Sequence, residues 1–325
     1  MAALPEAWSF RWARSADHDP FLGVNDTMRL ATTLLAGVLL AAAAAQAGAQ
    51  TVDGTLDGSY GLPLSTQTTQ TQFGNSSLGA IDYANGSELD VAHAVINGST
   101  LYVFLGGNLE SNFNKVEIFI DAIAGGQNKL RGDNPNVDFN GLNRMGDDGS
   151  GNGLTFDAGF EADYWFAVTG GGGPYQLYAN YSELLTGGGG TGYYLGAANA
   201  GAGTLSGGTN PFGVEATINN SNTLGVDGGC DASSGAGVAT GIELAIPLAA
   251  IGNPTGCIRI SAFVNGSGHD FLANQVLGPL PPGTCNLGEP RIVNFEQIPG
   301  AQYFTVCAAV PAEKTSWGKL KTIYR

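Results

Sequence analysis

TLYVFL at Thr100–Leu105 and KVEIFID at Lys115–Asp121 decide the fold class. Both concentrate β-branched and aromatic residues, and both stop at turn-forming residues, which is how a strand reads. The pattern recurs outward at Ala162–Val168 (ADYWFAV), Tyr175–Ala179, Tyr193–Leu195, Val214–Ile218, Gly241–Ile246 (GIELAI), Cys257–Val264 (CIRISAFV), Arg291–Phe295 and Gln302–Cys307. Nothing has the period of a long amphipathic helix, and Leu248–Ile251 reads as a single short turn. About ten short strands at this spacing predict an all-β fold, an antiparallel β-sandwich of jelly-roll type. Its connections are long and Gly-rich, at Gly170–Gly173, Gly187–Gly190, 197–208 and 225–237. No fixed repeat and no linker interrupts 50–310, so it reads as one domain, with a division near Gly187–Asn210 as the alternative.

The N-terminus reads differently. Met28-Arg29 opens an Ala- and Leu-rich run that ends in Ala47-Gly48-Ala49. One positive charge, an apolar stretch and a small-x-small exit form a secretory signal over 28–49, with cleavage expected after Ala49. The apolar stretch falls short of the roughly 20 strongly apolar residues of a membrane anchor. Residues 1–27 do not resemble an export signal and read as an upstream extension, with translation starting at Met28.

From Gln50 onward there are 10 Lys and Arg against 24 Asp and Glu. So acidic a chain lacks the basic surface that nucleic acid requires. Four cysteines, Cys230, Cys257, Cys285 and Cys307, lie toward the C-terminus. An even count in an exported chain predicts disulfides. Short loop closure between strands favours Cys230–Cys257 with Cys285–Cys307. Zinc spacing is lacking, since no CxxC pair or nearby His is present.

Val52-Asp53-Gly54-Thr55-Leu56-Asp57 resembles the opening of family 9 carbohydrate-binding modules and the related DOMON-like sandwiches. Thr240–Leu248 (TGIELAIPL) resembles their late strand, in which an acidic residue precedes an IPL triplet. The resemblance implies a two-sheet sandwich over about 52–265 that often binds sugar and sometimes haem or calcium. The long Gly-rich insertions depart from the family. So does the want of two exposed Trp residues, because Trp165 lies in an apolar strand and reads as core.

The densest acidic stretch runs from Asp133 to Asp163 and holds Asp133, Asp138, Asp147, Asp148, Asp157, Glu161 and Asp163 against Arg144. Asp148, Ser150 and Asn152 follow the alternate spacing of a calcium loop, closed by Gly153. Position twelve of that loop is Gly159, which excludes an EF-hand. Asp157 or Glu161, with Asp133 and Asp138, would complete another cage, and calcium is the expected cofactor. The competing reading is an acidic loop of Asx-turns. Catalytic patterns are weak. There is no GxSxG elbow, and Ser267, His269 and Asp270 do not have triad spacing, so His269 reads as a turn residue. A glycosidase carboxylate pair from distant positions is a further alternative.

The last segment, 311–325, holds four of the ten basic residues and alternates Trp317, Lys319, Lys321 and Ile323 with Gly318, Leu320, Thr322 and Tyr324. It resembles the "TxWGxxKxxYR" endings of otherwise unrelated secreted bacterial proteins, which implies a portable terminal signal or a docking strand. Trp317, Leu320, Ile323 and Tyr324 are the candidate interface, and a final edge strand is the plain alternative. Together these readings predict a secreted, non-catalytic structural or adhesive subunit at a bacterial cell surface. Its expected partners are copies of itself, through the terminal strand, or a polysaccharide, as a family 9 module would bind.

Overall fold

The computed structural model describes residues 50–73, 86–138, 141–226 and 228–308. They form two antiparallel sheets packed face to face, an all-β sandwich. In chain order the strands are β1 (Ser65–Thr66), β2 (Glu88–Asn97), β3 (Thr100–Asn108), β4 (Lys115–Asp121), β5 (Tyr164–Gly171), β6 (Gln176–Glu183) and β7 (Gly192–Asn199). There follow β8 (Ser206–Gly207), β9 (Glu215–Ile218), β10 (Gly241–Pro247), β11 (Ile258–Asn265), β12 (Leu272–Leu277) and β13 (Phe304–Val306). The smaller sheet runs β1-β2-β3-β10-β9. The larger runs β12-β11-β4-β5-β6-β7-β8, with β13 also paired to β11. The chain passes from the smaller sheet to the larger between β3 and β4, returns between β8 and β9, and passes over again between β10 and β11. Because β3 and β10 are antiparallel neighbours, the first and last of these crossings lie at opposite ends of the sandwich.

Side-chain alternation assigns the faces. Val116, Ile118 and Ile120 of β4 point between the sheets and meet Leu101, Val103 and Leu105 of β3 in the main core. Phe119 points the other way, into a second apolar cluster with Trp165, Phe263, Phe156, Phe160, Leu142 and Phe295. The larger sheet is therefore covered on both faces, by its partner sheet and by a layer of loops. That is why β4 and β5 are buried at every position rather than at alternate ones.

ELDVAHAVIN forms β2 and LANQVL forms β12, although neither shows a strand pattern in the sequence. Their buried polar residues, Glu88, Asp90, His93, Asn274 and Gln275, mask the apolar alternation. Arg291–Phe295 is not a strand. It spans two short 3-10 turns, the second started by Asn294, whose side chain accepts from the Glu296 amide. The acidic stretch is no solvated excursion, since Leu142, Met145, Leu154, Phe156 and Phe160 anchor it over the sheet.

The disulfides also pair differently: Cys230 with Cys285, and Cys257 with Cys307. Loop length was the wrong guide, because closure entropy grows only slowly with it. Strand pairing decides instead. Ile258 of β11 faces Val306 of β13, which sets Cys257 opposite Cys307. Residues 68–72 pair with both segments that carry the other two half-cystines. Gln70 donates its amide to Asp231, Thr69 bridges to Ala232, and the Gln70 and Thr284 carbonyls both accept from the Asn274 side chain. Two such bonds mark a fold that forms in an oxidising setting. Among the described residues no helix is long and apolar enough to cross a membrane. The signal segment 28–49 and the tail residues Trp317, Leu320, Ile323 and Tyr324 lie outside the described residues.

Candidate functional site

The outer face of the larger sheet carries a buried charged cluster. Lys115 and Glu117 are two residues apart on β4, so their side chains share that face. His269 reaches them from the tight turn between β11 and β12, where its φ of 55° is left-handed. Asp138 arrives from the covering loop, also at positive φ. The Lys115, Glu117 and His269 side chains are at most 1% exposed, and Asp138 is 15% exposed.

The contacts form an ordered chain. The Trp165 indole N–H donates to Glu117 Oε2 at 2.8 Å, and the Asn265 amide donates to Glu117 Oε1 at 3.1 Å. Glu117 Oε1 also lies 2.7 Å from His269 Nδ1, so that nitrogen carries the proton. His269 Nε2 then lies 3.2 Å from Lys115 Nζ and 3.3 Å from Asp138 Oδ2. Lys115 Nζ donates to Asp138 Oδ2 at 2.8 Å. One nitrogen cannot serve both neighbours at once. A proton on Nε2 selects Asp138, and its absence selects Lys115.

Burial pushes the His269 imidazole toward its neutral form. The Glu117 charge and the hydrogen bonds to Asp138 and Glu117 outweigh it, so its proton affinity is raised. Burial likewise pushes the Asp138 carboxyl up, but the His269 hydrogen bond and the Lys115 ammonium hold it far below the usual carboxylate range. With His269 protonated the cluster is balanced, two cations against two anions, as burial demands.

Above the cluster lies a cleft of about 280 Å³ lined by Asn112, Phe113, Lys115, Asp138, Thr169 and Ser267. Phe113 stands at its mouth, 47% exposed and at positive φ, 6.3 Å from the Tyr178 ring. It lies so close over Gly171 that a Cβ there would meet its ring at 2.7 Å.

The expected calcium ligands are mostly dispersed and engaged with protein partners. Asp133 pairs with Arg131, Asp148 with Arg291, and Asp138 with Lys115. Asp157 accepts from the Gln302 amide, and Asp163 accepts from the Ala122 and Ile123 amides. Ser150 and Asn152 take part in short-range turn bonds, while Glu161 is exposed. Asp147 Oδ1 accepts from the Gly149 and Gly151 amides, which is an Asx-turn. Among the described residues no group of three or more acidic, histidine or cysteine side chains is arranged to hold a metal. Trp165 is core, as expected. His269 does sit in a turn, but it is also the hub of the charged cluster, and the sequence separation of 152 residues from Glu117 hid that.

The two stretches that carry the family resemblance meet in space. Glu243 Oε2 accepts from the Asp53 and Gly54 amides at 3.0 Å, and Glu243 Oε1 accepts from the Tyr60 hydroxyl at 2.7 Å. The arrangement closes the N-terminal segment onto β10 around the buried Glu243 carboxylate. Comparison with protein-family models, with curated proteins and with solved structures gives no match.

Proposed function

We propose that this chain is a secreted, non-catalytic structural or adhesive subunit, displayed outside the cell and held through its C-terminal segment. The supporting observation is the position of the Cys257–Cys307 bond. Cys257 immediately precedes β11, an interior strand of the larger sheet, and Cys307 immediately follows β13, a strand of only three residues at the sheet's margin. Tension on the segment beyond Cys307 would peel so short a strand. The disulfide passes that load to β11 instead. A basic, alternating tail leaving an acidic body from a riveted point suits docking to a second copy by strand addition. Deleting residues 312–325 tests this. The deletion should leave a folded monomer that neither assembles nor stays at the surface, and unchanged assembly and retention would refute the proposal.

The cleft favours a second reading, a saccharide-binding module. An exposed aromatic ring beside Asn112, Thr169 and Ser267 offers a stacking face with hydrogen-bonding groups around it. Pull-down on insoluble glucans and xylans, compared with Phe113→Ala, tests that reading. Binding lost in the variant supports it, and no binding by the native chain removes it.

A further inference from the structure

The geometry points to a covalent amide cross-link between Lys115 and Asp138, formed inside the folded protein by the Glu117–His269 pair. This inference does not depend on how the C-terminal segment is used.

Three observations carry it. The reacting groups are already in contact, Nζ against Oδ2 at 2.8 Å, so the two partners are presented to each other at high effective concentration. A histidine oriented by a carboxylate through one nitrogen, with its other nitrogen facing a nucleophile, is the arrangement that activates nucleophiles generally. Here Nδ1 is fixed by Glu117, itself held by Trp165 and Asn265, and Nε2 faces both Lys115 and Asp138. Both members of the Glu117–His269 pair are fully buried. Among the described residues, no polar side chain other than Glu117, Lys115 and Asp138 is within hydrogen-bond or ion-pair distance of the His269 ring. An imidazole held in that position can pass protons between Lys115 Nζ and Asp138 Oδ2, both of which it reaches.

The reaction balances without any co-reactant. The Lys115 Nζ–Asp138 Cγ bond forms and one Cγ–O bond breaks. Nζ gives up two of its three protons, relayed by His269 Nε2 to the departing oxygen, which leaves as water. His269 ends as it began. A buried cation and a buried anion become one uncharged amide, which removes the desolvation cost of holding both charges inside. The adjoining cleft gives the water a way out. The product ties β4 to the covering loop through Asp138. His269 is the catalytic residue of this single event, and Glu117 is a positioning residue.

Mass spectrometry of the mature, disulfide-bonded full chain tests it. The intact protein should be lighter by one water than its oxidised sequence, and digestion should yield a peptide joining Lys115 to Asp138. Lys115→Arg, which keeps the charge, should restore the water. Glu117→Gln should slow the loss of water after refolding and shift its pH profile, which a purely structural role would not do. The cross-link is ruled out if the native chain carries its full mass and Lys115 reacts with an amine reagent after denaturation. An unchanged rate and pH profile in Glu117→Gln would remove the Glu117–His269 pair from the reaction.

Discussion

Single residues in this chain act by satisfying others at long range. Glu243 is fully buried and serves two backbone amides and the Tyr60 hydroxyl. Burial raises its pKa, against the opposing hydrogen bonds. Glu243→Ala leaves those three donors without an acceptor. The Gly54 amide and Tyr60 hydroxyl are buried, and at about 1–3 kcal/mol for each buried unsatisfied group the change should cost about 2–6 kcal/mol, measured by denaturant unfolding. The 50–60 segment should then be the first cut by protease. Asp163 gives a pH signature. Burial pushes its carboxyl up to about 6, opposed by the Ala122 and Ile123 amides and reinforced by Asp121 and Glu161. The folded state thus binds this proton more tightly than the unfolded state. Its stabilising effect is complete below about pH 4 and is lost as pH rises through about 6. Asp163→Asn keeps an acceptor for both amides. It should gain about 2 kcal/mol at pH 7 and nothing near pH 4, so parallel unfolding curves at the two pH values decide. The motif residues Asp53, Gly54 and Glu243 were legible in the sequence as a distant pair. The Lys115, Glu117, Asp138 and His269 cluster was not, because only the β4 spacing of two is local.

Elements with a dense run of β-branched and aromatic residues are legible in the sequence even where they bury charge, as β4 does with Lys115 and Glu117, and those whose run is broken by polar residues are not. KVEIFID and ADYWFAV sit in the middle of the larger sheet as β4 and β5. β2 escaped notice because Glu88, Asp90 and His93 interrupt its pattern while remaining buried. Cysteine pairing needed the register of β11 against β13, and no sequence spacing carries that register. Replacing Cys257 and Cys307 with serine should cost about 2–5 kcal/mol. The loss should appear first as hydrogen exchange in β13, while Cys230–Cys285 stays oxidised. The acidic loop has two possible uses that melting separates. A midpoint raised by calcium and lowered by EDTA, with Asp148→Ala abolishing the difference, marks a cation site. Equal midpoints leave the loop's charges to Arg131 and Arg291, which already pair with Asp133 and Asp148.

At the scale of the whole molecule the larger sheet is a middle layer, with the partner sheet on one face and the 122–163 and 278–303 loops on the other. This layering puts ionisable groups where water is excluded, and it makes the cover as apolar underneath as a second sheet would be. Composition foretold the sandwich but not the cover, because Gly, Asn and Asp dominate the loop sequence and its few Leu and Phe anchors carry no period. Two disulfides fasten the last part of the chain to this body, and the basic segment follows the second of them. The central claim is that the body folds alone and the final segment connects it to something else. The surface-retained fraction of the protein with and without residues 312–325, measured alongside its unfolding midpoint, tests this most directly. Loss of retention with an unchanged midpoint is the expected result, and full retention, or a midpoint that collapses on truncation, would contradict it.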